Sequence, residues 1–303
     1  MYVMPSDSQQ GSRHVFVTNN SICVSQKLQA QVLTELAQLI SEPRMKSYKV
    51  LTSGDSMAAN LGAYLWNKQA SAALYPLMQC LEVTLRNAVH NAASNYFETP
   101  DWFDRVTKSA GDDMFIAYMK KYPDKRDRFY RNGVSTGQRK GKKIWTSHHE
   151  NMIATAKEKL KNCGKRQAAD AVIAELTFGF WSGIFENNYN DIRSASRLWP
   201  HLEPTVFPNL KPADRKASTV LYQLKSIKDL RNRMAHYELI WKHSSVNNAS
   251  SALSYLNNSI DQIVALIRGI SHERANLLQV SGIESFARNL CQEELLESYI
   301  SAY

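Results

Sequence analysis

The chain has 303 residues and a net charge of +9, with 44% hydrophobic and 21% charged residues. That is material for one large domain or two ordinary ones, and the balance is too apolar for general disorder. Cys23, Cys80, Cys163 and Cys291 lie far apart with no CxxC pair, which speaks against a disulfide scaffold or compact zinc site and for free, mostly buried thiols in a reducing cytoplasm.

In chain order, MYVMPSDSQQGSRHVFV lacks the basic-then-apolar pattern of a signal peptide. No stretch has the roughly 18 uninterrupted apolar residues of a membrane span, so the expectation is a cytoplasmic protein with no membrane partner. Residues 26 to 41 repeat apolar positions at three and four, the mark of one helix face. The long apolar run that follows, to Phe97, reads as two helices separated or kinked at Pro76. Residues 114 to 121 read as a short helix, and Tyr122 to Lys143 as loop. A helix resumes near Trp145 or Glu150 and ends at Gly164, which suits a C-terminal cap. Residues 167 to 185 read as one apolar helix. In it Gly179 and Gly183 suit close helix packing, and Phe178, Phe180, Trp181 and Phe185 suit the core. LWPHLEPTVFPNLKP, with four prolines, must be largely irregular. A helix from about Asp214 to Trp241 follows, then helices near 250 to 270 and 272 to 299, with an interruption expected at Gly282. No strand alternation or repeat is evident, so an all-α bundle is expected.

Charge is unevenly placed. Residues 120 to 166 hold 15 Lys or Arg against four acids, so the remaining 256 residues total −2. Such a concentrated segment suits a polyanion partner. Lys125, Arg126, Arg128, Arg131, Arg139, Lys140, Lys142 and Lys143 are the candidate RNA-binding residues. Tyr122, Phe129, Tyr130 and Trp145 are interleaved with them as stacking platforms. The alternative is a solvated loop. Adjacent His148 and His149 cannot share one metal on a helix, and no metal or cofactor site is expected.

The polar group in LRNRMAHYELIW is the main chemical signal. Leu221, Leu224, Ile227, Leu230 and Met234 form a helical stripe, with Arg231, Asn232 and His236 flanking it. Arginine and histidine suit cleavage of RNA by its own 2′-hydroxyl. Histidine moves protons near neutral pH, and the arginine fork stabilises extra charge on the phosphate. Asn232 can orient either one. One such pair supplies one proton carrier, and a dimer supplies two. The competing reading is a surface Arg and His paired with Asp229 or Glu238.

LRNRMAHYE resembles the RNxxxH motif of HEPN-superfamily ribonucleases. The chain more specifically resembles the Abi-like (AbiD/AbiF-type) proteins of bacterial phage defence. Residues 64 to 87, 175 to 185 and 198 to 209 share that resemblance. It implies an all-α HEPN-like helical bundle, metal-independent RNA cleavage, a composite site built by a homodimer, and a role in abortive infection. It also implies Arg231, Asn232 and His236 as the catalytic residues. A non-coding RNA or protein antitoxin is a further expected partner. The expected organisation is an N-terminal helical extension (1–50), the Abi-like core (51–245) with the basic insertion at about 120–166, and C-terminal helices (246–303). A second constellation, Glu82, Arg86, Asn87 and His90, reads either as a degenerate second motif or as polar support, with Glu82 orienting Arg231 or His236.

Overall fold

The computed structural model describes residues 30–54, 56–123, 146–190 and 197–302, and those residues contain helices and no strand. Three short helices come first: α1 (Ala30–Ile40), α2 (Glu42–Lys46) and α3 (Lys49–Thr52). Residues 26–29 of the first expected helix lie outside the described residues. The spine of the fold is α4 (Met57–Phe97), 41 residues long. Ser56 caps its start by accepting the Ala59 N–H. Trp66, Ala70, Leu74, Leu77, Leu81, Leu85 and Val89 recur at three and four and are buried along its length.

Pro76 does not separate two helices; α4 runs through it. Proline removes one N–H, the donor for the Ala72 carbonyl, at a cost of about 3 kcal/mol in a free helix. The apolar stripe is covered by later helices on both sides of that point, and this packing outweighs the loss.

Helix α5 (Trp102–Lys121) begins twelve residues earlier than expected, because Trp102, Phe103, Val106 and Ala110 are a buried stripe of their own. Helix α6 (His148–Asn162) starts with a capping box between Ser147 and Glu150. It ends as expected at Gly164, whose φ is +66°. The single helix expected over 167–185 is instead two, α7 (Ala169–Glu175) and α8 (Phe178–Gly183). Leu176 and Thr177 are extended between them. A short 3-10 turn, Asn187–Tyr189, precedes the proline-rich stretch, whose one regular piece is α9 (Glu203–Val206).

The motif helix α10 (Ala217–Ala235) stops six residues before Trp241. Its buried stripe is Val220, Leu224, Ile227, Leu230 and Met234, with Leu221 only half-buried. The chain then forms α11 (Ala249–Ile270), α12 (His272–Val280), α13 (Ile283–Leu290) and α14 (Glu293–Ser301). Gly282 interrupts as expected, and a second break falls at Cys291–Gln292.

Helices α11, α13 and α14 pack along α4 and close one core around it. The Trp66 indole N–H donates to the Leu290 carbonyl at 2.7 Å. Gly62 meets the Tyr299 backbone so closely that any Cβ there would overlap its carbonyl. Cys80 is half-buried, Cys163 exposed and Cys291 buried, so the expectation of mostly buried thiols fails for two of the three described; Cys23 lies outside the described residues. Among the described residues no helix is long and apolar enough to cross a membrane.

Candidate functional site

The motif helix ends in a backbone-strained turn. His236 is its cap residue, and Tyr237 follows with φ +57°, a left-handed conformation that glycine usually supplies. The Tyr237 N–H donates to the Met234 carbonyl at 3.2 Å and the Glu238 N–H to the Arg233 carbonyl at 2.8 Å. That pair of bonds is a Schellman motif with tyrosine where glycine belongs. His236 is therefore not inside the helix, as its spacing suggested, but at its exposed end.

Two residues of α4 hold this turn. Asn67, 1% exposed, donates from its amide to the Glu238 carbonyl at 3.2 Å and accepts the Ile240 N–H at 3.1 Å. Lys68 Nζ donates to the Tyr237 carbonyl at 3.4 Å and lies 5.7 Å from the centre of the Tyr237 ring. Burial, helped by Arg44, pulls the Lys68 ammonium below its ordinary range. Sequence reasoning missed both. The available signal was Asn67 itself, a polar residue next to Trp66 on an otherwise apolar face.

Arg231, half-buried, stands in the wall between two hollows. One, of about 440 Å³, is largely apolar, with Tyr75, Met78, Met234, Ala235 and Tyr237 in its lining beside Lys68 and Glu82. Ala72, whose carbonyl Pro76 leaves without its helical donor, is also in that lining. The other, of about 580 Å³, brings Arg231 together with Arg86, Arg274 and Glu82. Burial raises the Glu82 carboxyl above its usual range, against the opposing pull of Arg231, Arg86 and the backbone N–H of Phe178. The break between α7 and α8 gives Phe178 its free N–H, since the first amides of a helix have no partner within it.

The structure thus gathers Glu82, Arg86 and Arg231. It does not bring the other candidates to them. Asn232 is half-buried beside Arg231, and its carbonyl accepts the His236 N–H at 2.9 Å. His236 lines neither hollow, and its ring has no hydrogen-bond partner among the described residues. Asn87 is exposed and accepts from Arg86 Nε at 3.3 Å.

His90 is buried in a separate network. The Trp102 indole N–H donates to its Nδ1 at 3.2 Å, leaving Nε2 as the protonated nitrogen of the neutral ring. That nitrogen lies 3.5 Å from Ser94 Oγ and 3.9 Å from Asp170 Oδ1. Burial lowers its pKa, opposed by Asp170 and Asp101.

Of the basic segment, Lys125, Arg126, Arg128, Arg131, Arg139, Lys140, Lys142 and Lys143 lie outside the described residues, as do Phe129, Tyr130 and Trp145. In its described part, Lys157 pairs with Asp104 at 2.6 Å and Lys159 with Glu175, so some of its charge is already neutralised. His149 is buried with its Nδ1 2.8 Å from Tyr189 Oη. A Cβ on Gly183 would overlap its ring, so this glycine serves close packing; Gly179 has ordinary space.

The family model described as Abi-like protein matches residues 33–242, more than two thirds of the chain. The chain belongs to the Abi-like family. No curated protein and no solved structure matches it. In this Abi-like chain the matched region holds α4, the motif helix and the turn that follows it. Arg274 falls beyond it.

Proposed function

We propose that this Abi-like protein is a metal-independent endoribonuclease of HEPN type, acting in the cytoplasm in abortive infection of phage-infected bacteria. The observation that carries the reading is the placement of Arg231. It is half-buried between two hollows, with His236 exposed at the end of the same helix. In the proposed reaction the RNA 2′-oxygen attacks the adjacent phosphorus and its proton passes to a histidine. The bond from phosphorus to the 5′-oxygen breaks, and that oxygen takes up a proton. Arg231 holds the extra negative charge on the phosphate, and Asn232 positions its neighbours.

His236 caps the exposed end of the helix that carries Arg231 and lines neither hollow. A second copy of the chain, bringing its own motif helix alongside, supplies the opposing histidine. The same observation supports a conditional form of the reading, in which a single chain binds RNA and cuts only when paired. The basic segment grips the RNA backbone, and an antitoxin, RNA or protein, restrains the activity.

The test is incubation of the purified chain with RNA in the presence of EDTA. Products ending in 2′,3′-cyclic phosphate are expected, with no loss from the chelator. Arg231→Ala and His236→Ala are each expected to lower the rate by about 10²-fold or more, with helical content retained. RNA carrying a 2′-deoxy sugar at the cut should resist. Wild-type rates in either variant, or DNA cut as fast as RNA, would overturn the mechanism.

A further inference from the structure

The hollow on the far side of Arg231 has an unbalanced charge. Arg86 and Arg231 come from α4 and α10, and Arg274 enters from the first turn of α12. All three are half-buried. Glu82 is the single carboxylate in the lining, beside the neutral Tyr75, Gln79, Cys80 and Val83. Among the described residues none of the three guanidinium groups has a carboxylate oxygen within 4.0 Å, although Arg233 on the motif helix and Arg288 on α13 do.

Three partly desolvated cations gathered around one carboxylate repel one another, and apart from the Arg86 Nε bond to Asn87 their side-chain donors meet no acceptor among the described residues. Burial also favours the neutral form of Glu82, which weakens the one negative charge competing for the site. What such a hollow lacks is an anion with several acceptor oxygens at tetrahedral angles. Arginine forks suit phosphate because two N–H groups can meet two of its oxygens.

We propose that Arg86, Arg231 and Arg274 form a phosphate subsite, occupied by a backbone phosphate of bound RNA. The inference deepens the ribonuclease reading, on which its choice of RNA rests. It gives Arg231 two neighbours that hold the chain and adds a binding residue, Arg274, from outside the family-matched region. The adjoining apolar hollow, walled by Tyr75, Met78 and Tyr237, is where the attached base and sugar fit.

The probe is a fluorescent, fully 2′-O-methylated oligoribonucleotide, which binds without being cut, so absent cleavage does not affect the readout. Its affinity for the full chain is measured by anisotropy across a salt series, with inorganic phosphate as a second ligand. Arg274→Gln is expected to weaken oligonucleotide binding by about 10-fold and flatten the salt slope by about 0.7, the loss of one phosphate contact. Arg86→Gln should act alike, while Arg274→Lys should keep most of the slope. Arg268→Gln removes the same charge from an exposed position outside the hollow, and its effect should be much smaller. Melting curves check that each variant is folded; were Arg274→Gln unfolded, Arg86→Gln and Arg274→Lys decide. Loss on the oligonucleotide arm supports the proposal. Loss confined to inorganic phosphate supports a phosphate site but overturns RNA as its source. Equal binding by wild type and by Arg86→Gln and Arg274→Gln, or losses matched by Arg268→Gln, overturns the subsite altogether.

Discussion

Asn67 substitutes for two missing backbone partners at once. The Glu238 carbonyl and the Ile240 N–H leave the motif turn with no helix or strand to satisfy them, and one buried amide meets both. Truncation would strand the N–H of a fully buried residue. Asn67→Ala is therefore expected to lose about 1–3 kcal/mol of stability by urea denaturation, and a loss well below that range would show that water replaces the amide. The loss should be accompanied by slower RNA cleavage, because the turn that carries His236 loses its anchor. At this scale the sequence was half legible. Arg231, Asn232 and His236 stand out by type and spacing. Glu82 stands out as an acid on the same helical face as Arg86. Arg274 does not, because an arginine in the first turn of a late helix carries no local mark of what lies across from it. His90 misled for a similar reason. Its place in RN-x2-H gave no sign of Trp102, twelve residues on, whose indole ties up its Nδ1.

The end of the motif helix sets one element against ordinary backbone preference. A left-handed residue other than glycine costs roughly 1–2 kcal/mol. Glycine at Tyr237 would relieve that, but it would add unfolded-state freedom worth about 0.4–1 kcal/mol and lose the ring's contact with Lys68. These effects nearly cancel for Tyr237→Gly. Alanine loses the ring and keeps the strain, and valine adds a branched Cβ to it. Melting temperatures should thus rank Gly above Ala and Ala above Val, the reverse of intrinsic helix propensity for the first pair; any ranking with valine on top would mean the turn is not held left-handed in solution. Helix existence was legible from three-and-four spacing almost throughout, whereas helix ends were not. Pro76 reads as a break and is not one, because the apolar stripe on both sides of it is covered by helices far away in the chain. Residues 167–185 read as continuous and are not: Leu176 and Thr177 are extended, and the two short helices bury Val172, Ile173, Phe180 and Trp181 separately in the core. Local periodicity displays neither the distant cover that carries α4 through Pro76 nor the extended pair at Leu176–Thr177.

For the molecule as a whole, acid should be a specific weakness. Burial, reinforced by His148, holds the His149 ring down at about 4. An unfolded imidazole takes up its proton near 6.5. Between those values the unfolded chain binds more protons than the folded one, so stability present above pH 6.5 is lost as pH falls toward 4, by on the order of 3 kcal/mol. His90, lowered in the same direction, adds to the loss. Thermal melts from pH 7 to 4 should decline steeply in the wild type and less in His149→Gln; parallel declines would place the acid weakness elsewhere. The all-α class was legible in the sequence because apolar residues recur at three and four in segment after segment, with no strand alternation between them. The closure of the bundle was not, because it joins residues more than 200 positions apart, as Trp66 does with Leu290. That closure has a meaning in time. On the ribosome, α4 and the motif helix are made well before α12, α13 and α14. Until residues 274 to 299 emerge, the spine lacks the cover of α13 and α14 and the arginine hollow lacks its third wall. The order of translation therefore makes the arginine hollow one of the last features a nascent chain can complete, after the motif helix and most of the core are already out.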